Sequence, residues 1–100
     1  MPSVCRKMDK DIVHCSLPMR EMCSPDVNAN GRGISRETDV NTIHQYFTGN
    51  PFVPCLPHAA PITKGSTTVR ANGLGVGRIG DSITACTAVA EGSPDVFAGN

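Results

Sequence analysis

The chain has 100 residues, nine basic and nine acidic side chains, three His, five Cys and no Trp. That length allows one domain with a thin apolar core, and ten Gly with eight Pro argue against a helical bundle. Balanced charge leaves no basic stripe for nucleic acid and no Lys/Arg block for a membrane surface. Nothing near Met1 reads as a signal sequence, and no apolar run approaches the ~20 residues that span a bilayer. The expected place of synthesis is the cytoplasm, where thiols are expected to stay reduced. An odd Cys count together with His directs attention to metal ligation.

In chain order, residues 4–14 read as a strand or hairpin. Residues 16–23 read as a surface excursion. Residues 26–28 and 34–36 flank Asn30-Gly31, a hairpin signal because both turn residues tolerate positive φ. Residues 42–47 read as a short strand or a helical turn. Pro51, Pro54, Pro57 and Pro61 predict an irregular loop over 49–61. Residues 67–71, 75–79, 82–86 and 95–98 read as strands, the first two about Asn72-Gly73. No segment shows sustained helical periodicity.

The chain also repeats itself. Shifted by 42 positions, Ser24 to Gly31 lies over Ser66 to Gly73 without a gap, Arg36 meets Arg78, Asp39 meets Asp81 and His44 meets Cys86. A third copy wraps around the ends: Arg6, Asp9 and His14 keep the spacing R-x-x-D-x-x-x-x-(H/C), and Ser93-Pro94-Asp95-Val96 repeats Ser24-Pro25-Asp26-Val27. The unit is a Ser-x-x-Val strand, an Asn-Gly turn, an R-x-x-D strand and a His or Cys. Repetition of this kind predicts an all-β fold with pseudo-threefold symmetry. The three Arg-Asp pairs read as structural ties between strands and not as acid/base groups.

Equivalent residues of three repeats converge on a common axis, which brings His14, His44 and Cys86 together. The remaining His, His58, is the candidate that closes a tetrahedral site, with Cys55 and Cys15 as rivals for that place. Imidazole and thiolate favour zinc over oxygen-seeking cations, with iron second to zinc. A lone loop His is ordinarily a surface residue, and a lone Cys a small apolar one. The repeat phase is what lifts His14, His44 and Cys86 above that reading. Cys5 and Cys23 read as free thiols. No H-E-x-x-H or C-x-x-C is present, and Gly73, Gly75 and Gly77 lack the helix and Lys of a phosphate loop. No catalytic residue is assigned.

Gly65-Ser66-Thr67-Thr68-Val69, Asn72-Gly73 and Arg78-Ile79-Gly80-Asp81, followed by Cys86, resemble the PAAR family, with Gly75-Val76-Gly77 where its Pro-Ala-Ala stands. Pro57-His58 and Gly92-Ser93-Pro94-Asp95-Val96 also resemble that family's pattern. The resemblance implies one cone-shaped domain over 1–100, stapled by zinc near its apex through three His and one Cys. It implies no enzyme. The family role is a structural, membrane-piercing tip that sharpens the trimeric β-helical spike of a contractile injection system, either a phage baseplate or type VI secretion. One chain caps one spike trimer, at the tip of the virion tail or secretion apparatus, and meets the target envelope transiently. The base is expected to expose apolar or strand-pairing groups and the wall to be polar. The competing reading is a small zinc-dependent enzyme with an open metal position.

Overall fold

The structure, a computed structural model, describes residues 1–13, 15–46, 49–52 and 54–100. Among them there is no helix. Six short strands form three antiparallel pairs: β1 (Asn28–Ala29) with β2 (Arg32–Gly33), β3 (His44–Tyr46) with β4 (Leu56–His58), and β5 (Arg70–Ala71) with β6 (Leu74–Gly75). Isolated bridges such as Ser3 to Phe97, Arg6 to Ile34 and Arg36 to Val76 knit these pairs into one elongated body of 43 × 23 × 22 Å.

The hairpins form where Asn-Gly predicts them. Asn30 and Asn72 sit at φ 54° and 56°, Gly31 and Gly73 at 77° and 78°, the left-handed pair that a two-residue hairpin turn requires. Registers match: Asn28 faces Gly33 as Arg70 faces Gly75. Ser3 faces Phe97 at the equivalent place of the third copy.

The threefold pattern is written in backbone hydrogen bonds. Cys5 N–H donates to Gly77 O (2.9 Å), Gly77 N–H to Ser35 O (2.8 Å) and Ser35 N–H to Cys5 O (3.0 Å), a closed ring with one member from each repeat. Around it, Lys7 donates to Gly33, Glu37 to Gly75 and Ile79 to Ser3. A side chain at position 77 has no room: a Cβ there would lie 2.7 Å from Cys5 Sγ and 2.6 Å from Ile62 Cδ1. Below the ring, Ala29, Ala71 and Ala98 pack with Ile34, Val76 and Val4 as a core of two apolar trios. A second cluster joins Cys5, Ala60, Ile62, Ile83 and Val89. Burial pushes the Cys5 thiol up to about 12, so it behaves as a small apolar side chain.

The Arg-Asp pairs are clamps inside each repeat. Asp9, Asp39 and Asp81 each accept the backbone N–H and the Nε–H of the Arg three residues earlier, at 2.8–3.2 Å. The turn between them puts Met8, Thr38 and Gly80 at φ 74°, 71° and 91°. The guanidinium then reaches the next repeat. Arg6 Nη1 donates to Asn30 Oδ1 and Arg36 Nη1 to Asn72 Oδ1, while Arg78 Nη1 donates to the Gly99 carbonyl. Ser93, Ser24 and Ser66 donate their hydroxyls to the same three acceptors. Asn30 and Asn72 donate in turn to Asp95 and Asp26, which holds both carboxyls below their usual range.

Three expectations need correction. Residues 56–58 lie in the predicted irregular loop yet form β4, because Pro57, which lacks an N–H, faces Gln45 in a pair that needs none from it. Residues 16–23 are no surface excursion: Lys10 bridges Met19, and the Arg20 side chain is fully buried. Two thiols are not reduced, since loops carrying Cys15 and Cys55 meet at a Cα separation of 6.4 Å and form a disulfide.

Candidate metal centre

Three segments converge at the far end of the repeats. His44 opens β3 and His58 closes β4, and the antiparallel register sets them directly opposite each other. Cys86 follows a tight turn in which its N–H donates to Ile83 O (3.0 Å) and Ile83 N–H to Thr87 O (2.8 Å). The disulfide ties the 15–16 segment to the start of β4, and Gln45 N–H donates to Ser16 Oγ.

The donor atoms face one another. His44 Nε2 and His58 Nε2 are 2.9 Å apart, His44 Nε2 and Cys86 Sγ 3.2 Å, and Cys86 Sγ and His58 Nε2 3.5 Å. His44 Nδ1 lies 2.7 Å from the Thr42 carbonyl and donates to it, which leaves Nε2 with a lone pair aimed at the other two atoms. The edges of a tetrahedron built on bonds of about 2.0–2.3 Å measure roughly 3.3–3.8 Å; the 3.5 Å spacing falls in that range, and the 2.9 and 3.2 Å spacings are shorter, so the two His rings must move slightly apart to admit a four-coordinate ion. These three residues form a group that can hold a metal ion. Burial pushes the Cys86 thiol up, while hydrogen bonds from Asn41 and the Thr87 backbone oppose the shift. A bound cation favours the thiolate outright. His44 is buried and His58 half-buried. The rings of His44 and His58 meet edge-on at 4.4 Å, and Tyr46 covers the outer face of His58 at 4.4 Å.

Of the four residues expected to ligate, the structure brings together His44, His58 and Cys86. His14 lies outside the described residues. Cys15 and Cys55, the rivals of His58, have their sulfurs in the disulfide. Cys5 and Cys23 are free thiols, as expected. The sequence reading missed Asn41, fully buried beside Cys86; its only signal is that it stands three residues before His44.

Residues 55–100 match the family model described as PAAR motif. That segment is similar to the PAAR motif, and its Arg-Asp clamp at residues 78–81 recurs at residues 6–9 and 36–39, which supports a PAAR-repeat protein. The motif is consistent with the spike-tip proteins of contractile injection systems, whose role is structural. No curated protein matches the chain.

Proposed function

We propose that the chain is the structural tip that caps a trimeric β-helical spike in a phage tail or type VI secretion apparatus. The ring through Cys5, Ser35 and Gly77 carries this reading, because one chain that presents three near-equivalent faces can dock on a partner with three identical chains. The hairpin end is the docking base. There β1–β2, β5–β6 and the Ser3–Phe97 pair offer short strand edges to the last turn of a β-helix, which in exchange has its own edges covered. The opposite end carries the metal, held by His44, His58, Cys86 and His14. Zinc is the metal we assign, since two kinds of borderline-soft donor in a closed site are its usual setting. Its work is mechanical: it fixes the converging segments in a tip that meets a target envelope. Native mass spectrometry of the chain mixed with the matching spike tests the reading. One chain per spike trimer is expected; three chains per trimer, or no complex, overturns it.

A further inference from the structure

The layer beneath the metal group breaks the threefold pattern. Asp11, Asn41 and Ile83 each stand three residues before His14, His44 and Cys86. Backbone bonds identify a second equivalent set: Met8 N–H donates to Arg20 O, Thr38 N–H to Ile62 O and Gly80 N–H to Val89 O. One repeat thus fills the layer with Ile83 and Val89, another with Asn41 and Ile62, and the third with Asp11 and Arg20. All six are buried. The Arg20–Asp11 pair has no exposed side-chain surface and closes at 3.3 Å. Among the described residues Arg20 Nη2 has no hydrogen-bond partner. Ile83 and Val89 fill the same slot in another repeat, so space-filling does not call for an ion pair here.

Asn41 is where this polar patch meets the metal group. Its Oδ1 accepts the Ala60 N–H at 2.9 Å, two residues beyond His58. Its Nδ2 donates to Asp11 Oδ2 at 3.1 Å and points to Cys86 Sγ at 3.9 Å. Arg20 Nε faces the far oxygen of Asp11 as an ion pair without a hydrogen bond, and Arg20 Nη1 reaches Ser35 Oγ and the Asp39 carbonyl at 3.5 and 3.4 Å. The carboxamide is therefore fixed on both its oxygen and its nitrogen, and its flip is excluded: a rotated amide would set oxygen against the Asp11 carboxylate and N–H against the Ala60 N–H. Cys86 belongs to the repeat whose own layer position is Ile83, so its sulfur draws this donor from a neighbouring repeat.

We propose that Asn41 is the positioning residue of the Cys86 sulfur, aiming an N–H at the thiolate that binds the metal, and that Asp11 with Arg20 locks the amide in that orientation. The proposal rests on the metal reading above. It assigns the buried ion pair a task that stability does not explain, since outer partners of metal ligands set ligand orientation and electron density.

Cobalt(II) titration of the full chain tests it, with the near-ultraviolet sulfur-to-cobalt band as the readout. The exchange Asp11→Asn with Asn41→Asp keeps volume, keeps an acceptor for Ala60 and keeps an amide–carboxylate bond, but turns a carboxylate oxygen toward the sulfur. We expect that variant to bind cobalt about 10- to 100-fold more weakly, with the sulfur band displaced. Asp11→Asn alone, whose amide oxygen still accepts from Asn41 Nδ2, should keep the wild-type band, and a band displaced as far as in the exchanged variant overturns the assignment to Asn41. A wild-type affinity and band in the exchanged variant overturns the proposal. If that variant does not fold, Asn41→Ser is read in the same titration, and an unchanged band there overturns it equally. Failure of the wild-type chain to take up cobalt removes the metal reading, and this proposal with it.

Discussion

At the hairpin end each link between repeats is drawn three times. Arg6, Arg36 and Arg78 reach Asn30, Asn72 and Gly99, and the seryl hydroxyls follow the same circuit. At the metal end the backbone still repeats, Ile12 N–H donating to Ala88 O, Thr42 to Met19 and Thr84 to Pro61, but among the described residues no side-chain link is drawn three times. The segments 12–19, 41–63 and 82–90, which surround the His and Cys group, contain no Asp, Glu, Lys or Arg. Large apolar side chains stand open there: Ile43 is 77% exposed and Phe52 93%. The expectation of a polar wall therefore fails at this end. Redundant neutral and ionic hydrogen bonds spread the hold over many weak links, whereas a metal group and one disulfide concentrate it in two strong ones. The first arrangement degrades gradually and the second fails at once.

The sharpest break between the ends should come from the metal. Cys86→Ala or His44→Ala is expected to abolish metal binding and, with it, on the order of 10 kcal/mol of folding free energy. Elemental analysis with circular dichroism checks both, and amide exchange should show the metal end opening first. A chain that stays folded without metal would show that the hairpin end suffices alone.

Next in size is the layer between the ends. Arg20→Val alone strands the Asp11 carboxylate in the interior and should cost about 3–5 kcal/mol. Asp11→Ile with Arg20→Val copies the Ile83–Val89 pair and removes both charges together, leaving only Asn41 Nδ2 without its acceptor, and should cost no more than about 1–3 kcal/mol in denaturant melts, less than Arg20→Val alone. Equal losses in both would mean that the layer is not interchangeable between repeats.

Smaller again is the ring. Gly77→Ala drives a Cβ against Cys5 Sγ and Ile62 Cδ1 and should cost about 1–3 kcal/mol, seen as a lower urea midpoint with no loss of bound metal. Thr38→Gly works the other way. Thr38 is an exposed β-branched residue at φ 71°, where the repeat of Arg78 and Asp81 has Gly80, so the change should stabilise by about 1 kcal/mol or less.

The smallest effect should come from two carboxylates at the hairpin end. Asp26 and Asp95 titrate below their usual range because Asn72 and Asn30 donate to them. A carboxyl whose folded pKa is depressed contributes stability that is fully present above its unfolded value of about 3.9. That contribution disappears as pH falls through the lower folded value. Asp95→Asn should therefore lower stability slightly at pH 6, where the carboxylate contributes in full, and flatten the profile below about pH 4, where the two proteins converge. Metal release needs only His protonation and should precede it on acidification.

Much of the hairpin end was legible because its chemistry is carried by residue types with narrow meanings. Asn-Gly specifies a turn, and Arg with Asp at a three-residue spacing specifies a clamp. The metal group was legible through repeat phase at His44 and Cys86, and at His58 only as the remaining His of the chain. What escaped has a physical reason in each case. Arg20 occupies the slot of Ile62 and Val89, and a buried cation in place of an aliphatic hides the repeat from any comparison by residue type. β4 escaped because three prolines over 51–57 signal irregular chain, while an edge strand tolerates a proline whose missing N–H faces away from its partner. The disulfide escaped because pairing depends on loop approach in space, which Cys spacing does not encode.

The ring through Cys5, Gly77 and Ser35 also has a kinetic side. Its three members are far apart along the chain, and the Val4 N–H waits for the Val96 carbonyl. No repeat can bury its Ala and Ile or Val side chains until the others arrive. Chains dominated by such distant pairings fold slowly for their size, because loop closure must be completed before any contact rewards it. During synthesis at about 5–20 residues per second, the first repeats would spend several seconds without partners. Thiols, imidazoles and apolar side chains stay open to metal, oxidant and chaperone throughout that interval, so the order in which they are engaged is decided before the molecule has a shape.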